Sequence, residues 1–544
     1  MRRCAGILIG LLLAACGGSG PPGAGGVLSA ADVAAHIASG HLHRQLTQYA
    51  ATIDPTLSED LAAYSIIDDL FEGLVRLDPE GQIVPGVATH WEVSADGLTW
   101  RFHLRSEARW SNDEPVTAAD FVYAWRRAVD PATAAVNATQ LEPIAGAGSI
   151  IRGNAAVETL GVRAIDALTL EVRLAAPTPY FLYLLTNSWL MPLHAATLSL
   201  HGARWTDAGK LVGNGAFLLQ SRSINGPTEL RRNPRYREAA TVRLQAVTWH
   251  PLIDTAAATA RFLAGDLDIT DRFQLDDADW LAALPGHQLR LEPYFGSFML
   301  GMHTGRPPFD DVRLRRALLL AIDREVLESR LWKGRLSAAY GIVPPMPGYE
   351  PQRPEWASAD AQARHHEAQR LYAEAGYSRQ KPLQAELWYP STDADTRRTL
   401  EGVVAMWRTN LGAMVRLSNE EWTVHKQNRQ LRRHGLFFYT WIGDYLDPLT
   451  FLALPLPGSG QNFMEYHSAA YAQVLGEASA TVDEGARYAA YHHAERILDA
   501  DAPVIPLYHY RSRHLVRSYV QGWQANPMDR HASRDLYLAA PGGG

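Results

Sequence analysis

Both cysteines of this 544-residue chain, Cys4 and Cys16, fall within its first 16 positions, so everything after them must fold without a disulfide, a zinc–thiolate centre or a nucleophilic thiol. A body built that way depends on apolar burial. The sequence is 47% apolar and has no long low-complexity interior, which at this length predicts two or three packed domains. No segment after the N-terminal region carries the roughly 20 apolar residues a spanning helix needs, and no fixed-period repeat points to a solenoid.

Arg2 and Arg3, the apolar run Ala5 to Leu13, and Ala14-Ala15 before Cys16 have the order of an export signal. The end of that run resembles the lipobox of bacterial lipoproteins, which implies cleavage before Cys16 and lipid on its sulfur. Residues 17–26, Gly17-Gly18-Ser19-Gly20-Pro21-Pro22-Gly23-Ala24-Gly25-Gly26, read as a tether that reaches roughly 18 Å. The expected location is periplasmic, with the membrane touched only through lipid. The formal charge is -7, and losing Arg2 and Arg3 makes it two units more negative. Acidic residues are interspersed with arginine, which argues against nucleic acid as a partner. Lysine occurs only at Lys210, Lys333, Lys381 and Lys426.

The local patterns are mixed α and β. Leu98 to Leu104 alternates with period two, as do Leu168, Leu170, Val172 and Leu174 against Thr169, Glu171 and Arg173, so each predicts a strand with one buried face. Thr117 with Asp120 is a helix start, and Phe121, Ala124, Trp125, Ala128 and Val129 form an apolar stripe that stops before Pro131. Further helices are expected over 312–322, over 360–375 with Gly376 at the end, and through Leu400, Val403, Val404, Trp407 and Leu411 up to Gly412.

The richest stretch for function is Trp441-Ile442-Gly443-Asp444-Tyr445-Leu446-Asp447-Pro448. Alone it supports two readings: a carboxylate that holds an ammonium, or an acid that serves the backbone of a turn. It belongs to an ordered set of words: Asp69-Leu70-Phe71-Glu72-Gly73-Leu74, Pro85 to Trp91, Asp96 to Arg105, Pro115 to Trp125, Asn214-Gly215-Ala216-Phe217, Arg232 to Tyr236, Gly265 to Asp268, Pro307 to Arg313 and Ile505 to Tyr508. Together they resemble the solute-binding proteins of peptide ABC transporters, family 5, in the oligopeptide-binding branch, over nearly the whole chain after Ala51.

That resemblance implies an α/β, two-lobed periplasmic-binding-protein fold, type II-like, with three domains and a hinge. Domain I would comprise residues 27–74, 202–297 and 511–544, domain II residues 75–201, and domain III residues 298–510, the chain crossing near Tyr294 to Ser297 and near Tyr508 to Ser512. The implied function is capture of an extended oligopeptide between the lobes and delivery to ABC permease subunits, by a monomer that is not an enzyme and uses no cofactor and no metal. By position, Asp444 matches the acid that receives the peptide α-ammonium. Tyr439 to Gly443, including Thr440, Trp441, Ile442 and Gly443, would run beside the peptide backbone, with Ala62 to Ser65, including Tyr64, on the other lobe. Trp422, Trp441, Tyr294 and Tyr510 match pocket-lining aromatics, each also readable as core.

The chain departs from the family where the peptide carboxylate binds. An arginine often precedes the Trp of the motif, whereas this sequence reads Leu436-Phe437-Phe438-Tyr439, and a histidine the family can use gives way to Ser391-Thr392-Asp393-Ala394-Asp395. Lys333, Arg335, Lys426, Arg429, Arg432 and Arg433 are the candidate substitutes, or a solvated face. The departure motivates an alternative on the same fold: a murein peptide, a nickel complex or another small ligand. An exported hydrolase is the third reading, and it lacks support. His-Glu-x-x-His is absent, the Gly458-Ser459-Gly460 spacing fails as a nucleophile elbow, and the pairs His41/His43, His365/His366 and His492/His493 have no companion ligand pattern.

Overall fold

The computed structural model describes residues 29–391 and 394–540. Cys16, the segment 17–26 and positions Thr392 and Asp393 lie outside the described residues. A four-stranded sheet joins strand His41–Leu46, parallel, to Ala246–Pro251, followed by Thr228–Arg232 and Phe217–Arg222. A second four-stranded sheet orders Ala88–Val93, Thr99–Leu104, Thr169–Arg173 and Val162–Asp166, all antiparallel. A six-stranded mixed sheet has at its centre two long strands, His287–Met302 and Val504–Arg517, which pair antiparallel with a register shift between Pro293 and Ser297. These three sheets, two further two-stranded pairs and the helices packed on them make a mixed α/β architecture.

Local sequence accounts for most elements. Trp100, Phe102 and Leu104 point into the core while Arg101 faces out, and Leu170 and Val172 do the same one strand over. Helix Ala118–Val129 begins at a capping box in which Thr117 and Asp120 satisfy each other's backbone N–H groups, and it buries the expected stripe from Phe121 to Val129. Helix Ala361–Glu374 is followed by Gly376 at φ +87°, and Ala394–Leu411 by Gly412 at φ +76°, the left-handed region that glycine enters without a Cβ penalty. The helix expected over 312–322 ends at Leu320.

Words far apart in sequence meet in space. Asn214 accepts the Glu72 N–H and donates to the Glu72 carbonyl, both at 2.9 Å. The Glu72 carboxylate takes the Tyr236 hydroxyl at 2.7 Å and Arg237 at 2.7 and 2.9 Å. A buried carboxylate is tolerated only when its lone pairs are filled in this way.

Candidate functional site

The segment Leu436–Asp447 leads from the six-stranded sheet into the space between the lobes. Strand Leu436–Ile442 pairs along its whole length with Gly296–Met302 on one side. On the other side, strand Gln384–Pro390 meets it only at Leu387 opposite Leu436 and Trp388 opposite Phe437. From Phe438 onward that edge has no strand partner among the described residues, and the His425 ring meets the Phe438 backbone there. Gly443 is required where the strand ends: a Cβ there would run into the Phe295 ring and lie 3.1 Å from Thr450.

Asp444 and Asp447 then diverge. The Asp447 side chain is buried, accepts the Leu449 N–H at 2.9 Å and faces Arg487 at 3.7 Å, so it serves a turn and a helix start. Asp444 has no ion pair among the described residues. Its amide is held by the Thr450 hydroxyl at 3.1 Å, its carbonyl lies 3.5 Å from the Asn187 side-chain amide, and its carboxylate meets Gln140. Burial pushes this carboxyl up to about 6, only partly offset by the Gln140 hydrogen bond and the charge of Arg530. Tyr445 stacks on Tyr180 at 4.1 Å with planes 7° apart, so segments 180–187 and 444–445 close on each other.

Next to segment 180–187, at Thr186, lies a cavity of about 130 Å³ lined by Arg44, Tyr64, Tyr294, Asp529, Arg530 and His531, among others. Tyr64 bonds to the Asn137 amide at 3.2 Å and packs edge-on to Trp189. Burial, with Asp444 adding to it, raises its phenol to about 12. Burial also raises Tyr294, assisted by Asp529 and Asp271. Arg530 is drawn to Thr186 at 3.0 Å and Asn187 at 2.8 Å.

The other sequence candidates are placed as follows. Ala62 to Ser65 is a correction: these residues form the first turn of helix Leu61–Leu70, whose N-cap Asp60 binds the Ala63 N–H, so their backbone is not extended for strand pairing. Trp441 donates to Thr450 at 3.1 Å, Thr440 lies opposite Phe298 and Ile442 opposite Gly296. Tyr510 packs edge-on to Tyr508. Trp422 opens helix Trp422–Gln430 and is 46% exposed.

Of the cations, Arg335 is buried and already paired with Asp279, Arg432 meets Glu465 at 3.1 Å, and Arg433 donates to Asn428. Lys333 and Lys426 are exposed. Arg429 differs. It is half-buried with its guanidinium 4.5 Å from the Phe463 ring and 5.3 Å from the Tyr439 ring, and its Nε is shielded without a hydrogen-bond partner. Burial lowers its pKa, and no carboxylate meets it among the described residues. Phe437 and Phe438 are buried, the latter edge-on to Phe298 at 5.1 Å, so neither position offers charge. Gln140, Asn187 and Arg530 escaped the sequence reading because each comes from a different distant segment with no local motif to mark it.

Residues 82–463 match the model for bacterial extracellular solute-binding proteins, family 5 Middle. The chain is 35% identical over 523 residues to the periplasmic oligopeptide-binding protein OppA of Escherichia coli (strain K12), covering 95% of this chain and 96% of that one. It is 36% identical over 502 residues to the periplasmic murein peptide-binding protein MppA of the same organism, covering 91% and 93%. The solved structure of that murein tripeptide-binding protein superposes with a TM-score of 0.81 over 92% of this chain and 98% of the other, at 36% identity. Haemophilus influenzae OppA in complex with RPPGFSPFR superposes with a TM-score of 0.78 at 32% identity, over 92% and 99%.

Proposed function

The chain belongs to the bacterial extracellular solute-binding proteins of family 5, and from that premise we propose that it captures a peptide in extended form between its lobes for delivery to an ABC permease. Members of this family bind solutes and are not enzymes. The observation that carries the proposal is Asp444: a carboxylate in the interlobe contact, raised by burial to about 6 and lacking an ionic partner. An α-ammonium is the group that would complete it. Its position is supported by the edge from Tyr439 to Ile442, which has no strand partner on that side among the described residues and would supply the backbone hydrogen bonds common to every peptide. A receptor for varied sequences must rely on such shared groups, leaving side chains to roomy pockets and bridging water.

Arg429 is the proposed partner for the peptide carboxylate, since its guanidinium is pre-oriented on two rings and otherwise unspent. The hinge would lie near the register shift of the two long strands, between Pro293 and Ser297, since two chain crossings there suit lobe closure. On this reading domain I would comprise residues 27–74, 202–297 and 511–544, domain II residues 75–201, and domain III residues 298–510. Cys16 would carry lipid and residues 17–26 would act as the tether of a monomeric periplasmic receptor. No described helix is long and apolar enough to cross a membrane.

A murein peptide is the second reading, favoured by similarity to MppA at 36% identity, and it uses the same amine site. Calorimetric titration separates the cases. Free-amine oligopeptides should bind and their N-acetylated forms should not; binding of a murein tripeptide alone selects the second reading. Equal affinity for acetylated and free peptides would refute Asp444 as the amine site.

A further inference from the structure

We propose that the outer face of the sheet formed by residues 88–104 and 162–173 carries a site for a borderline divalent transition-metal ion, built from His90, His103 and Glu92. His90 lies opposite His103 on the paired strands, their rings stack at 4.4 Å with planes 9° apart, and Glu92 follows two residues on along the same face. One ligand atom from each of the three lies within 4.8 Å of the others.

Neighbouring hydrogen bonds prepare the donors. The Thr89 hydroxyl donates to the His103 carbonyl at 3.0 Å. Its single proton is thereby used, so toward His90 Nδ1, at 2.9 Å, the oxygen accepts. That fixes the hydrogen on Nδ1 and leaves the Nε2 lone pair of His90 open, the outer-sphere arrangement that orients metal-binding histidines. His103 Nε2 is shielded, has no hydrogen-bond partner, and lies 3.6 Å from the Glu92 carboxylate. Glu92 is free of competing cations, because Arg101 opposite it turns to Glu171 at 2.8 Å, which also holds Arg163 at 2.6 Å. Two imidazole nitrogens, one exposed and one half-buried, and one exposed carboxylate are therefore unspent on the same sheet face.

Imidazole with carboxylate suits zinc, copper or nickel rather than magnesium or calcium, and three protein ligands leave a position for water. Bonds of about 2.0–2.1 Å require the donors to draw closer, which the exposed His90 and Glu92 side chains can do by rotating toward the half-buried His103. The other two histidine–carboxylate groups lack this freedom. One Glu420 oxygen already meets both His425 and His434, at 3.3 and 2.9 Å, and His514 is held between the Thr270 carbonyl and Asp529.

The test is titration of the tag-free, metal-stripped full chain with Zn²⁺ by calorimetry, and with Co²⁺ by visible absorption. One equivalent should bind, and His90→Asn and His103→Asn should each weaken it at least tenfold, with a smaller loss in Glu92→Gln. Zinc should raise the melting temperature of the wild type but not of His103→Asn. Because all three side chains lie outside the core, unchanged melting of the metal-free variants identifies them as folded. Absence of stoichiometric uptake overturns the site, as does uptake that survives both histidine variants.

Discussion

Two aspartates border the interlobe space in opposite electrostatic states. Asp444, on the segment leaving the six-stranded sheet, is raised by burial to about 6, with no salt bridge among the described residues and only a Gln140 hydrogen bond and the more distant charge of Arg530 to offset it. Asp529, in the C-terminal segment, is equally removed from water, yet His514 at 2.9 Å and His531 at 3.1 Å hold it well below the carboxylate range. His514 in turn is raised to about 9, overcoming its own burial, because Asp529 faces one ring nitrogen and the Thr270 carbonyl the other. Burial is common to both aspartates; partners are not. A satisfied buried charge belongs to the scaffold, whereas an unsatisfied one in a cleft is ready for a ligand.

The contrast breaks most visibly at the scaffold end. Asp529→Ala leaves cationic His514 buried and unpaired, and should cost about 3–5 kcal/mol of stability, read from chemical denaturation. Asp444→Ala should leave the denaturation midpoint unchanged or higher while costing about 2–5 kcal/mol of peptide affinity, on the order of 30-fold or more by calorimetry. If the two variants exchanged phenotypes, the assignment of roles would be reversed. Arg429→Gln should weaken peptide binding by about 2 kcal/mol, the lower end of that range, with no effect on a peptide amide that lacks the carboxylate.

The smallest expected effects are in pH, and their signs are opposite. An ammonium needs ionised Asp444, so affinity should rise with pH up to about 6 and then level, falling by about tenfold between pH 7 and pH 5 for one linked proton. At the scaffold, His514 has a folded value above its unfolded one. Its contribution to stability is complete below about pH 6.5 and is lost as pH rises through about 9. Denaturation series across both windows test the pair; stability that climbs from pH 7 to pH 9.5 would contradict the His514 pairing.

The sequence was legible where the physics is local. The Thr117/Asp120 capping box, the period-two strands around Phe102 and Leu170, and glycines after two helices all reappear in place, because each depends on neighbours within a few residues. The ordered words identified the family, and several prove to be contact partners, such as Glu72 with Asn214 and Tyr236. The site was legible only in part. Ala62 to Ser65 belongs to a capped helix turn, and a run of six cations could not be ranked by sequence, since what separates Arg429 from Arg335 is whether a distant carboxylate, Asp279, has already claimed the charge.

By itself, then, the sequence determined that no thiol chemistry is available to the body of the protein, where several of its helices and strands lie, and which family it joins. Only the tertiary structure decided which charges are spent. Asp444 and Asp447 are three residues apart and chemically identical, yet one meets Arg487 and a helix start while the other meets a cleft. His90 and His103 become neighbours only across a strand pair. The reason is the same in each case: electrostatic state depends on partners and burial within a few ångströms, and the fold gathers those partners from segments far apart along the chain.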